Sequence, residues 1–420
     1  MLLKSLKVEN YRSLRNIEFR PGNLTVVVGA NGAGKSNLAS AIDFLSQAYE
    51  SGLEYAVMAK GGFENIAFRS IRRTKSAIKF SSEFALPRLV LPMARGRPVA
   101  HPGLLKHSFA IKTAKEGIGA DYKVVEETIE LYRGAPGQAL SECDHFPLLF
   151  SVTRKADVLT FELTEDGKSI ESLPEYLDFL SRRYSKDLSN IQLAWRELTW
   201  LSNTRLNGMA VHQLSPNTAR APGPPSPDPT LTAYGQNLAA LVDWLKKHHP
   251  KKWVRVEDSM KQIVPGLVAI EVVFSMNNLL TLTFKEEHAG KAWTAQDVSD
   301  GTIQTLAILC VMADPRTQLL LLEEPENSVH PWIVRQLAHE FKRYARTTQV
   351  VLTTHSPLIL NMVEAEDVWV CYKKGGETIL ANLPILRPEV VEDWKAGNER
   401  LFDLFDMGLV QEAMPTGQIS

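Results

Sequence analysis

The chain has 420 residues with 47 Lys and Arg against 48 Asp and Glu, so no overall imbalance directs it to nucleic acid or an acidic substrate, and any electrostatic partner must meet a local patch. Its 44% hydrophobic content can bury a large core, and its length exceeds what one core usually organises, which argues against a single compact domain and for two lobes. Cys143, Cys310 and Cys371 are far apart and offer no metal-ligand spacing. They fit a reducing compartment, read here as cytoplasm, and no signal-peptide core or run of about 18 apolar residues suggests export or a membrane span.

In chain order, "MLLKSLKVENYRSLRNIEF" alternates like a strand pair. "LTVVV" is a buried strand that runs through a glycine-rich turn into a helix, "SNLASAIDFLSQAY", on which Leu38, Ile42 and Leu45 keep helical spacing. From about 62 to 165, short alternating runs separated by Gly and Pro predict an antiparallel sheet. Residues 173–200 are helical by period, and "SPNTARAPGPPSPDP", 215–229, is expected to be an exposed loop rather than a packed element. Helices follow at "YGQNLAALVDWLKKHH" and "VRVEDSMKQIV", then strands at "AIEVVFS" and "LLTLTFK". The section 297–372 holds a helix, the apolar strand "QLLLLEE", a helix, the apolar strand "TQVVLTTHS" and "DVWVCYK"; strands so uniformly apolar read as parallel and buried on both faces. No heptads run over several turns, so a long coiled coil is not expected.

Residues 29–36, "GANGAGKS", satisfy G-x-x-x-x-G-K-[ST] between a strand and a helix, the context in which that spacing binds phosphate. Glycines let successive backbone N–H groups turn onto the α- and β-phosphates at a helix N-terminus, Lys35 can reach the β/γ oxygens, and Ser36 can ligate Mg²⁺. Asn31, Gly32, Ala33, Gly34, Lys35, Ser36 and Asn37 are thus the candidate nucleotide contacts. A phosphate loop also needs a metal-binding acid on a neighbouring strand. "LLLLEEPENSVHP" supplies Glu323 for the Mg²⁺ shell and Glu324 to polarise an attacking water. His355 in "TTHSP" ends a second apolar strand and reads as a γ-phosphate sensor; alone, it would more often be structural.

"GANGAGKSN", "VSDGTIQTLAIL", "LLLLEEPENSVHP" and "VVLTTHSP", in that order, resemble the ABC-type ATPases of the RecF/SMC/OLD-like group, and most closely the stand-alone bacterial ATPases labelled AAA that carry an EEPEN acid motif. "LKVENYRSLRNIEF", "AYGQNLAALVDWLKK" and "VPGLVAIEV" share the likeness, which spans roughly 1–45 and 230–375 and is weak over 65–215. It implies an α/β fold: an ABC ATPase head, with a mixed and parallel sheet and flanking helices, an antiparallel β lobe and a helical insert. The implied domains are an N-terminal lobe, 1–165; a helical insert, 166–265, with the Pro-rich loop; a C-terminal lobe, 266–375; and a tail, 376–420.

The resemblance also implies that "VSDGT" is the signature, whose Ser299, Asp300, Gly301 and Thr302 contact ATP held by a second copy of the chain, with Ser328 and His330 near that interface. Two ATPs would be sandwiched head-to-tail in a homodimer. Without the resemblance, Ser299 or Asp300 reads as a helix N-cap. Glu323 stands where most such ATPases have Asp, one methylene shorter, although the stand-alone relatives share the Glu. No Gln near "GGFENIAF" matches the loop expected to sense the metal.

Between Arg69 and His107 lie nine Lys and Arg (Arg69, Arg72, Arg73, Lys75, Lys79, Arg88, Arg95, Arg97 and Lys106) and one acid, Glu83; a second cluster is "KKHHPKKWVR", 246–255. Such strips suit DNA or RNA backbone, an acidic partner protein, or the blunting of sheet edges by solvated charges. The leading expectation is an ATPase whose nucleotide-driven dimerisation engages DNA or an effector, as in repair or anti-phage defence. A nuclease effector would be a separate polypeptide, because little sequence follows the ATPase segments. The alternative is a slow nucleotide switch that holds a partner such as a toxin. The large insert disfavours a transporter subunit.

Overall fold

The computed structural model describes residues 1–68, 76–90, 99–113, 122–155, 158–168, 208–275, 277–397 and 399–414. The helix expected over 173–200 lies outside them. The strands are β1 (Leu2–Tyr11), β2 (Leu14–Phe19), β3 (Leu24–Val28), β4 (Ile78–Val90), β5 (Ala100–Thr113), β6 (Tyr122–Arg133), β7 (Leu148–Lys155) and β8 (Val158–Leu163). There follow β9 (Met209–His212), β10 (Leu267–Phe274), β11 (Leu280–Glu286), β12 (Trp293–Thr294), β13 (Leu319–Glu323), β14 (Gln349–Thr353), β15 (Val368–Lys374) and β16 (Glu377–Asn382). The chain is a mixed α/β protein made of two compact units.

The first unit comprises residues 1–22, 30–209 and 371–381. Its sheet has the order β2-β1-β4-β5-β6-β7-β8, with antiparallel neighbours, as the alternating runs up to residue 165 predict. The helix Lys35–Ser51 starts after Gly34 and stops at Gly52, and Leu38, Ile42, Phe44, Leu45 and Ala48 form its buried face. Phe80 of β4 joins this helix to the sheet: its ring lies 5.2 Å from Phe44, 5.3 Å from Phe109 and 5.5 Å from Tyr11. Phe80→Ala is expected to cost about 3–5 kcal/mol, read as a lower urea midpoint, because a ring with neighbours on three sides leaves a cavity that cannot collapse.

At the far end of the same helix, the buried Tyr49 hydroxyl meets Ser82 Oγ at 2.8 Å and His107 Nδ1 at 3.0 Å, and His107 Nε2 lies 3.2 Å from Glu127. Burial pushes the Tyr49 hydroxyl well above its usual pKa, so it stays protonated and can donate. This chain of polar groups fixes the helix on β4, β5 and β6.

The second unit comprises residues 23–29, 210–370 and 382–420. Its sheet runs β15-β3-β14-β13-β9, with β3 parallel to β14 and to the first half of β15, and β13 parallel to β14. All five residues of β3 and of β14 are buried, and the first four of β13, which is why those sequences are almost unbroken Leu and Val. The helix Asp300–Ala313 is buried from Thr302 onward, whereas Pro331–Tyr344 buries only Val334, Leu337, Ala338 and Phe341, the stripe of a surface helix. β10, β11 and β12 form a separate antiparallel sheet.

The Pro-rich stretch 215–229 differs from the exposed loop expected of it. It opens with a helical turn, Pro216–Ala219, where proline tolerates the first position because no N–H is needed there. Gly223 then exchanges two backbone hydrogen bonds with Leu280, at 3.0 and 2.8 Å. Arg316 closes the far end, donating to Pro229 O at 2.7 Å, pairing with Asp228 and Asp314, and lying 4.2 Å over the Trp244 ring. Asn217, Ala221, Pro222 and residues 224–228 are exposed, and the other positions of the stretch are buried or half-buried. Cys143, Cys310 and Cys371 are free and buried. Among the described residues no helix is long and apolar enough to cross a membrane.

Candidate functional site

In the first unit, the loop that precedes the helix Lys35–Ser51 is shaped by two glycines in left-handed conformation, Gly32 at φ +76 and Gly34 at φ +118. A Cβ on Gly32 would meet open space, but one on Gly34 would lie 2.2 Å from Thr378 Oγ1, so the close approach there admits no side chain. Lys35 is buried to 7% exposure, with its ammonium 3.3 Å from Ala30 O. Burial raises the neighbouring Cys371 thiol to about 12, while the Lys35 charge acts the other way. Ser36 is exposed and Asn37 half-buried, with Asn37 Nδ2 donating to Ser13 Oγ at 2.6 Å. A glycine-shaped backbone cradle, one ammonium and one exposed hydroxyl form the donor set that a Mg²⁺-bound nucleotide triphosphate requires.

In the second unit, β3 ends at Val28, and Gly29 carries the chain toward that loop. Thr354 N donates to Val27 O at 3.2 Å, so the residues just after β14 lie beside the end of β3. Glu323 ends β13 opposite Thr353. Glu324 follows at φ +45, a left-handed conformation that costs a non-glycine residue roughly 1–2 kcal/mol and that clusters at functional positions. The chain is held in it by Glu324 N donating to Thr353 O at 2.8 Å and Asn327 N donating to Glu324 O at 3.0 Å. Asn327 Nδ2 donates to Glu324 Oε2 at 2.9 Å, and His355 Nε2 lies 3.8 Å from Glu324 Oε1. The two expected catalytic residues are therefore side by side and partly open to solvent.

Glu326 escaped the sequence reading. Its Oε1 accepts from Thr354 Oγ1 at 2.5 Å and from the His355 N–H at 2.9 Å, which fixes the backbone that presents His355. A cleft of about 140 Å³ at this edge is lined by Gly29, Thr354, His355, Ser356, Phe402 and Asp406, among others. The last two come from the C-terminal helix Leu401–Asp406, to which sequence patterning gave no role.

Also in the second unit, Ser299 caps the helix Asp300–Ala313, its Oγ accepting from Thr302 N at 3.2 Å. His330 Nδ1 caps the helix Pro331–Tyr344 in the same way through Trp332 N, at 3.2 Å. A Cβ on Gly301 would lie 3.0 Å from Ser328 O, so glycine permits the two segments to touch. Ser328 itself is left-handed, at φ +64. Asp300 pairs with Arg220 from the Pro-rich stretch. Ser299, Asp300, Ser328 and His330 are exposed. The cap reading of Ser299 is thus realised, and the side chain remains on the surface.

Of the basic strip, Arg69, Arg72, Arg73, Lys75, Arg95 and Arg97 lie outside the described residues. Lys79 faces Glu9 across β1 and β4 at 3.3 Å, and Lys106 faces Glu83 across β4 and β5 at 3.5 Å, so these two form cross-strand ion pairs; Arg88 is exposed.

Among solved structures, the chain is similar to an SMC head bound to the C-winged helix domain of ScpA, at 10% identity and a TM-score of 0.48, over 91% of this chain and 98% of that one. It is also similar to the SMC head domain from Thermotoga maritima, at 12% identity and a TM-score of 0.42, over 91% and 99%. A third is an Smc head domain with an extended coiled coil, bound to the C-terminal domain of ScpA, from Pyrococcus furiosus, at 12% identity and 0.42, over 94% and 99%. No curated protein matches the sequence. A family model does, over residues 24–361, a span holding the glycine loop, Ser299–Thr302, both carboxylates and His355; with most of its length so matched, the protein belongs to the family described as "AAA domain, putative AbiEii toxin, Type IV TA system".

Proposed function

We propose that the protein is an ABC-type ATPase that binds Mg-ATP on the Gly29–Ser36 loop and hydrolyses it with Glu324 and His355 in a head-to-tail dimer. The observation that carries this reading is the Glu324–His355 pair, 3.8 Å apart at the carboxyl end of parallel strands, with Glu324 held in left-handed conformation. Ligand sites of open α/β sheets gather at that end of the strands. Asn31, Gly32, Ala33, Gly34 and Asn37 would shape the phosphate cradle, and Lys35 would supply its charge. Ser36 and Glu323 would hold Mg²⁺, which neutralises charge on the β and γ oxygens when bound. Glu324 would take the proton of the attacking water and His355 would donate to the γ-phosphate. The test is Mg²⁺-dependent phosphate release from ATP by the purified chain; absence of both nucleotide binding and turnover would remove the reading.

In this scheme Ser299, Asp300, Gly301, Thr302, Ser328 and His330 meet the nucleotide of the opposite chain. The exposure of Ser299, Asp300, Ser328 and His330 and the Gly301–Ser328 contact support that placement. Ser299→Arg is expected to retain ATP binding while losing at least about tenfold in turnover, as removal of a group that acts only in the assembled site does. Unchanged turnover in that variant would count against the sandwich.

The wider role we propose is a cytoplasmic ATPase that couples nucleotide state to DNA or to a separate effector such as a nuclease, in repair or anti-phage defence. The family description names a toxin–antitoxin system, which favours keeping a second reading: a slow switch that holds a partner protein with little turnover. Hydrolysis measured with and without DNA separates them. Stimulation supports the first; a slow rate indifferent to DNA, with a co-purifying protein, supports the second.

A further inference from the structure

Behind the phosphate loop, within the first unit, four side chains and backbone groups from three separate parts of the sequence form one hydrogen-bonded line. Asn37 Nδ2 lies 2.6 Å from Ser13 Oγ, Ser13 Oγ lies 2.7 Å from Thr378 Oγ1, and Thr378 Oγ1 lies 2.9 Å from Ala33 O. Proton counting gives the line a direction. A carbonyl can only accept, so the single hydroxyl proton of Thr378 goes to Ala33; Ser13 must then donate to Thr378, and its own oxygen receives the amide proton of Asn37. Each hydroxyl donates once and accepts once, and the line ends on the loop's own backbone.

The line rests on a fixed base. Ser13 lies in the turn between β1 and β2, and Thr378 in β16, just after the Gly375–Gly376 turn that follows β15. Thr378 N donates to Ser13 O at 2.9 Å, and Arg15 pairs with Glu377 beside it. Thr378 is 2% exposed, and its side chain occupies the space a Cβ on Gly34 would need.

We propose that Thr378 is a positioning residue for nucleotide binding, one that holds the Ala33–Gly34 peptide in the orientation a phosphate requires. The inference rests on the phosphate-loop reading above and adds to it a residue 345 positions away in the chain. No cis peptide bonds occur among the described residues. In a planar trans peptide the C=O and the following N–H point to opposite sides. Holding Ala33 O toward Thr378 therefore turns the Gly34 N–H away from it, as an anion-binding donor must be. Without the hydroxyl, Ala33 O loses its partner and the peptide is free to rotate, which Gly34 on its own would not oppose.

The test is calorimetric titration of Mg-ATP into the full-length chain and two variants at Thr378. Thr378→Val keeps the volume and deletes the donor, and is expected to weaken ATP binding about tenfold, the scale of one hydrogen bond left unmade. Thr378→Ser restores the hydroxyl and is expected to bind within about twofold of wild type. The urea midpoint of each variant separates a loop effect from general loosening: the proposal requires the affinity of Thr378→Val to fall further than its stability does. Ser13→Ala removes the donor to Thr378 and is expected to weaken binding less than Thr378→Val does, with no added loss in the double variant, since both act through one line. If wild type binds Mg-ATP and Thr378→Val binds it equally well, the positioning role is overturned while the phosphate-loop reading stands. If wild type itself fails to bind, both fall.

Discussion

Glu324→Gln protein is expected to bind Mg-ATP as wild type does and to hydrolyse it about 100- to 10,000-fold more slowly, the span commonly lost with a general base. The substitution is nearly isosteric, and an amide oxygen can still accept from Asn327 Nδ2, which lies 2.9 Å from Glu324 Oε2. It also retains the backbone cost of φ +45, because Gln is no more at ease there than Glu. Folding should therefore be unchanged, and the lost function confined to proton acceptance. In the proposed dimer, slow turnover traps the ATP-bound state, so the variant should also elute as a larger species when ATP is present. Single-turnover phosphate release and size-exclusion chromatography with and without ATP check both parts. Wild-type turnover would show that Glu324 is not the base, and His355, 3.8 Å away, would become the group to examine.

The sequence was most readable where composition alone demands a structure. Strands as apolar as "LTVVV" and "LLLL" must be covered on both faces, and they lie in the parallel sheet. The glycine loop was readable because left-handed residues and close approach call for glycine: Gly32 and Gly34 are left-handed, and Gly34 also meets Thr378 closely. Glu324 and Ser328 show the limit: each is left-handed with a side chain that does not favour it, Glu324 within hydrogen bonds to Thr353 and Asn327, and Ser328 within a turn in which Val329 N donates to Glu326 O. Glu326 was visible as a letter of "EEPEN", but its carboxylate acts on Thr354 and His355, 28 and 29 residues away, and such pairing has no periodic trace. Thr378 is further still from the loop it touches. The Pro-rich stretch misled only in part: 224–228 are exposed as expected, but proline at a helix start and glycine at a close contact allow ordered packing in the rest.

Lys35→Ala is expected to abolish measurable ATP binding, weakening it by at least about 100-fold, since an ammonium that bridges two phosphates supplies two charge-assisted hydrogen bonds of roughly 1.5–3 kcal/mol each. The residue is also buried to 7% exposure, so alanine removes packed methylenes as well as charge. Lys35→Met isolates the charge: it fills most of the same volume without the ammonium, and should bind as poorly as Lys35→Ala while unfolding at nearly the wild-type urea concentration. Normal ATP affinity in a folded Lys35→Met protein would leave Gly29–Ser36 as a turn shaped only by its glycines, and would take the phosphate-loop assignment with it.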